Sequence, residues 1–194
     1  QGLCVVESEA SGVLDSSALN QLLDDAGFHE EEKAKAFEVA ESVPLAQAVK
    51  SCVFTGLRKK MSFETLVKVT VSNSSSRDWA DVIVVARIPD FLSGNIEDIS
   101  SDVEMKVSEL GPAIKFTLSK VGVMQSASIV YKVPKLISQE EADNVALPAI
   151  VSYRELRTGV IPSIKAKREK PEKQAEKAIE EKAHARKRPR KRHK

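Results

Sequence analysis

Between residues 63 and 71 the chain alternates. Phe63, Thr65, Val67, Val69 and Val71 fall on one side, Glu64, Lys68 and Thr70 on the other, and Leu66 is the exception. A period of two is that of a half-buried strand, and the following Ser72-Asn73-Ser74-Ser75-Ser76-Arg77-Asp78 is turn-forming. Further apolar segments come at short intervals, at 80–88, 103–107, 113–118, 126–133 and 146–153. Pro89-Asp90, Gly111-Pro112, Gly122 and Pro134 punctuate them. Parallel strands need long crossover connections, usually helices, and none separates these segments. The spacing therefore predicts a mainly β chain whose antiparallel sheets pack as a sandwich.

Ahead of this block the pattern is different. Leu3-Cys4-Val5-Val6 is compatible with a strand, and residues 15–52 read as helical. Asp15 is placed to cap a short helix that Gly27 ends in a left-handed turn. A second helix starts near His29, where Glu30, Glu31 and Glu32 suit the positive end of the dipole. Ala36, Phe37, Ala40 and Val43 give it an apolar stripe. Pro44 breaks it, and Ala46, Ala48 and Val49 suggest one or two further turns. The expected division is 1–56 as an N-terminal strand plus helical segment, 57–163 as the sandwich and 164–194 as a tail.

The tail is set apart by charge. The net charge is +2, yet residues 165–194 hold 14 Lys/Arg against 5 Asp/Glu, which leaves 16 basic and 23 acidic residues in the rest. With only alanines and Ile179 as aliphatic residues, this stretch cannot bury a core. Pro171 can open a single solvated helix over 172–186, which Pro189 would interrupt; otherwise the stretch is disordered. Arg186, Lys187, Arg188, Arg190, Lys191, Arg192 and Lys194 form a cluster suited to polyanions: nucleic acid, anionic lipid or an acidic surface polymer. No aromatic residues interleave it, so base stacking is not suggested.

One resemblance rests on residues 63–135. An alternating strand enters an Asn-Ser turn (Val69-Thr70-Val71-Ser72-Asn73-Ser74), and Asp81-Val82-Ile83-Val84 leads to Ile88-Pro89. Gly111-Pro112-Ala113-Ile114-Lys115-Phe116 and Ser128-Ile129-Val130-Tyr131-Lys132-Val133-Pro134-Lys135 follow. This order resembles the immunoglobulin-like conserved-repeat domains of archaeal cell-surface and secreted proteins. Lys115 stands where those relatives tend to carry Trp, and Val121-Gly122-Val123 where a Pro-Gly-Glu turn is common. The resemblance implies an immunoglobulin-like sandwich used for architecture or adhesion outside the cell.

Signatures of catalysis are lacking. His29, His184 and His193 sit beside no Cys or carboxylate at ligand spacing, and no glycine-rich phosphate loop or nucleophile elbow is present. No metal, cofactor, catalytic residue or small-molecule substrate is expected. Asn73-Ser74-Ser75 is a glycosylation sequon, and Asn73 is either a glycan acceptor or a residue bonding its own turn. Cys4 and Cys52 are either a disulfide or two buried thiols. Trp79 is a carbohydrate or partner contact, or a packing residue at a strand entrance. No apolar run nears the roughly 18 residues that span a bilayer.

Gln1 in place of Met implies a removed leader or a piece of a longer chain. The expected function is a non-enzymatic cell-surface or secreted structural, adhesion or assembly protein, with protein partners or copies of itself. The alternative is a cytoplasmic accessory protein that binds RNA, DNA or a ribonucleoprotein through its tail. If the tail carries polyanion binding, removing residues 165–194 abolishes an affinity for duplex DNA that otherwise falls steeply with added salt. A titration at several salt concentrations checks this, and unchanged affinity refutes it.

Overall fold

The computed structural model describes residues 2–92 and 96–157. Its strands and helices run β1 (Gly2–Gly12), α1 (Ser16–Asp25), α2 (Glu30–Ser42), β2 (Leu45–Thr55), β3 (Met61–Ser72), β4 (Trp79–Arg87), β5 (Ser100–Ser101), β6 (Glu104–Val107), β7 (Ala113–Val121), β8 (Ser126–Val133), α3 (Gln139–Asp143) and β9 (Ala149–Glu155). Short 3-10 turns at Asp90–Leu92 and Ile96–Asp98 lie between β4 and β5. The strands form two antiparallel sheets, ordered β1-β2-β3-β8-β5 and β6-β7-β4-β9. The protein is a mainly β, antiparallel sandwich. Among the described residues no helix is long and apolar enough to cross a membrane.

The alternation in β3 does what its period requires: Thr65, Val67, Val69 and Val71 are buried, while Lys68 is exposed and Leu66 half-buried. They meet Leu45 and Val49 of β2 and Ile129, Tyr131 and Val133 of β8, and across the sandwich Val82, Val84, Ile114, Phe116 and Ile150. Phe116 and Tyr131 stack between the sheets with centroids 5.3 Å apart.

The smaller sheet is covered on its other face as well. Asp15 caps α1, its carboxylate accepting from the Ser17 and Ala18 amides. Leu19, Leu22 and Leu23, spaced at helical intervals, face Val85, Ala113, Ala149 and Val151. Gly27 has φ +78, the left-handed conformation that ends the helix. Gly111 is fixed by a close approach, since a Cβ there would lie 2.7 Å from the Asp25 Cα. The small residues Ala36 and Ala40 seat α2 in the same cluster. Lys33, nearly buried, ties the helices together through Asp24 and Glu30, which raise its pKa, Asp24 foremost. Lys115, at the position where the resembling repeats tend to carry Trp, lies on this covered face with its Nζ 4.4 Å from the Phe28 ring centroid.

Two expectations are corrected. Residues 45–52 are not helical turns: Leu45, Gln47, Val49 and Ser51 alternate with less buried residues, so after Pro44 the period is two and the segment is β2. Nor is 1–56 a unit of its own. β1 and β2 are the first strands of the larger sheet, the expected boundary falls in the β2–β3 turn, and Gln1–Thr158 form one compact unit. Leu23 is fully buried between α1 and the sheet. Leu23→Ala should cost about 2–5 kcal/mol, read as a lowered midpoint in urea unfolding.

Candidate interaction surface

The sequence-derived sites fall in separate places. Cys4 and Cys52 are opposite one another in the β1–β2 ladder and are joined as a disulfide. Val5, next along, is the extra residue of a bulge, because pairing steps from Cys4–Cys52 directly to Val6–Ser51. β1 is therefore an edge strand stapled near its start and twisted beyond the staple.

The middle of that edge is guarded. The Gln139 side-chain amide donates to the Glu7 carbonyl at 2.9 Å. Hydrogen bonds from Ser8 and then Gln139 hold the Asp143 carboxylate below its ordinary pKa. The α3 turn is itself fixed by Ser138 and Glu141, which exchange side-chain and backbone hydrogen bonds, and the Ser138 amide lowers the Glu141 pKa. Glu7 also pairs with Lys50. A capped, bulged, charged edge resists indiscriminate strand addition.

Asn73 bonds its own turn, the second of the two roles open to it. It is 1% exposed. Its Nδ2 donates to the Arg77 and Val121 carbonyls, and its Oδ1 accepts from the Ser75 amide and hydroxyl. A glycan on that nitrogen would have to break both buried bonds. Asn73 instead organises the 72–78 turn, where Asp78 reaches the Val123 amide at 2.8 Å and the Lys120 ammonium at 2.6 Å. That cation foremost, with the amide, holds the Asp78 carboxyl below its usual range.

Trp79 follows the turn as a packing residue. It is buried in the inter-sheet core and stacks on Tyr153 at 4.3 Å. Asp81, at φ +52, lies where the β4–β9 register shifts. The shift lets Trp79 share a core with Val82 and Val84 in spite of the odd spacing. Among the described residues, the Trp79 Nε1 and Gln47 Oε1 are buried side-chain polar atoms without a hydrogen-bond partner. The other end of the Gln47 amide donates to the Val145 and Ala146 carbonyls.

His29 begins α2, where the Glu32 carboxylate accepts from its amide. Among the described residues no group of three or more His, Cys, Asp or Glu could hold a metal ion. A cavity of about 280 Å³ lies between the strand exit at Arg87–Phe91 and α3; of its carboxylates, Glu141 is committed to the α3 cap. His184, His193 and the polyanion candidates Arg186, Lys187, Arg188, Arg190, Lys191, Arg192 and Lys194 lie outside the described residues.

What sequence reasoning missed is the tip of the β2–β3 hairpin. The Lys59 amide donates to the Gly56 carbonyl at 2.9 Å and the Gly56 amide to the Lys60 carbonyl at 3.0 Å. These bonds close a tight turn with Lys59 at φ +55, a left-handed conformation uncommon for Lys. The turn presents Leu57-Arg58-Lys59-Lys60-Met61 outward, all exposed. The signal was on view in the sequence as three cations between two apolar residues. A row of Leu3, Val53 and Phe63 crosses β1, β2 and β3 just behind it.

No family model matches the chain, and no curated protein matches it. Among solved structures it is similar to the yeast delta-COP-I mu-homology domain complexed with a Dsl1 WxWxV peptide. That likeness is at 17% identity with TM-score 0.25, covering 57% of this chain and 51% of that one. A second structure of the yeast delta-COP-I mu-homology domain matches at 16% identity and TM-score 0.22, with the same coverage. The chain spans about half the length of these structures.

Asn73→Ala should cost about 2–4 kcal/mol, since it strips the buried Val121 carbonyl and the turn of their donors. Chemical unfolding checks the loss. A peptide map of the wild-type protein from its native cells should show the Asn73 peptide without a glycan.

Proposed function

We propose that this chain is a non-enzymatic structural or assembly module of the cell exterior, of the immunoglobulin-like kind that residues 63–135 resemble. The observation that carries the reading is the Cys4–Cys52 disulfide across β1 and β2. Such bonds persist in oxidising surroundings and are rare where thiol reductants are kept high. Its place also fits: it fastens an edge strand that would otherwise be held on one side alone. The carboxylates with lowered pKa serve structure, Asp78 in a turn and Glu141 and Asp143 around α3. Partners in this reading are other proteins or further copies of the chain, engaged at loops and at strand ends, because α3 occupies the middle of the β1 edge.

A second reading rests on the charge of residues 165–194, with 14 basic and 5 acidic side chains. That imbalance favours a polyanion partner inside the cell, and the tail truncation above is its test.

Alkylation separates the compartments. Protein taken from its native cells into an alkylating quench should carry no adduct until it is reduced, and two adducts afterwards. Two adducts before reduction would overturn the extracellular reading.

A further inference from the structure

The β2–β3 hairpin outruns the sandwich. Thr65 is the last β3 residue paired with β8. Met61 lies four residues further along the strand, about 13 Å at the usual rise. Exposure climbs along this stretch: Thr65 is 1% exposed, Phe63 41%, Met61 62%, and Leu57 at the turn is fully exposed. Phe63 and Met61 share one face of the strand, and Leu3, 68% exposed, extends that face through Val53 onto β1. Val5, in the bulge, is exposed beside it. An apolar face thus grows toward a point.

The charge at that point is of one sign. Arg58, Lys59 and Lys60 occupy the turn, and none enters an ion pair with a described carboxylate. The nearby Glu64 is engaged by Lys132 at 2.7 Å. Lys59 holds a left-handed backbone conformation that glycine would adopt more easily, so a cation stands where turn geometry alone favours another residue.

We infer that the β2–β3 hairpin tip docks on an anionic lipid bilayer, with Leu57 and Met61 entering the interface and Arg58, Lys59 and Lys60 meeting lipid phosphates. Two features favour a bilayer over a protein partner. A stable protein interface needs roughly 800 Å² from each side, more than a narrow turn offers. A lipid surface instead accepts a protruding apolar point ringed by cations, each side chain adding its own increment. The inference does not depend on the compartment, so the alkylation result and the vesicle result can fail separately.

The test uses the full-length chain carrying Leu57→Trp. It is mixed with vesicles of phosphatidylcholine plus phosphatidylglycerol and with phosphatidylcholine alone. On the anionic vesicles the introduced indole should shift to the blue and be quenched by brominated acyl chains, whereas the buried Trp79 stays unaffected. Leu57→Ser should weaken salt-resistant vesicle binding by about ten-fold. Neutralising Arg58, Lys59 and Lys60 to Ala should weaken binding at low salt by roughly five-fold per charge. The substituted side chains are exposed, so an unchanged melting temperature verifies the fold of each variant. An indole left unquenched while the chain floats with the vesicles would assign binding to the tail and overturn the inference. Self-association in lipid-free solution that Leu57→Ser abolishes, with no quenching on vesicles, would make the tip a contact between copies and overturn it as well.

Discussion

Burial of the smaller sheet on both faces is the constraint from which the rest of the unit follows. β4 lies between β7 and β9, with Val82, Val84 and Ala86 toward the larger sheet and Ile83 and Val85 toward the helices. From Val82 to Ala86 its sequence is therefore an unbroken apolar run, where a sheet with one wet face would alternate. Once that outer face must be covered, the α1–α2 hairpin has a fixed seat, and the chain must leave β1 and return as β2 to deliver it. The small side chains at Ala113, Ala149, Ala36 and Ala40 bring helix and sheet backbones close.

How much of this was legible depended on how many faces each segment buries. β3 has one buried and one open face, so its period shows directly in the residues, and β7 and β8 were delimited by their Gly and Pro neighbours. β2 was misread because Pro44 follows a helix and alanines at 46 and 48 fit either period. Only its partners reveal that Gln47 and Ser51 point inward. Gln47 donates to the Val145 and Ala146 carbonyls, and the Ser51 hydroxyl meets Thr65 and the Ile137 amide. Those bonds join residues far apart in sequence, which no local pattern encodes. The same limit applied at Asn73. An Asn-x-Ser triplet in a turn reads as surface, but the Val121 carbonyl that buries its amide arrives from β7.

The candidate surface illustrates a division within one sheet. Along the middle of β1, the Gln139 amide from α3 takes up the Glu7 carbonyl, a backbone position that a foreign strand could use. Toward the β2–β3 turn no such cover exists among the described residues, and apolar side chains increase in exposure together with positive charge. Protection of one stretch and exposure of the next, within the same strands, favour the tip over the ladder as the proposed docking point.

The disulfide has a mechanical meaning. Residues 5–51, including both α1 and α2, lie inside the ring that Cys4 and Cys52 close. Traction applied to the chain ahead of Cys4 passes through the sulfurs into Cys52 and reaches β2 and β3 without stretching that ring. The helical layer over the smaller sheet is thereby relieved of load, and a pull that would peel β1 from its neighbour meets a covalent stop at the first ladder rungs.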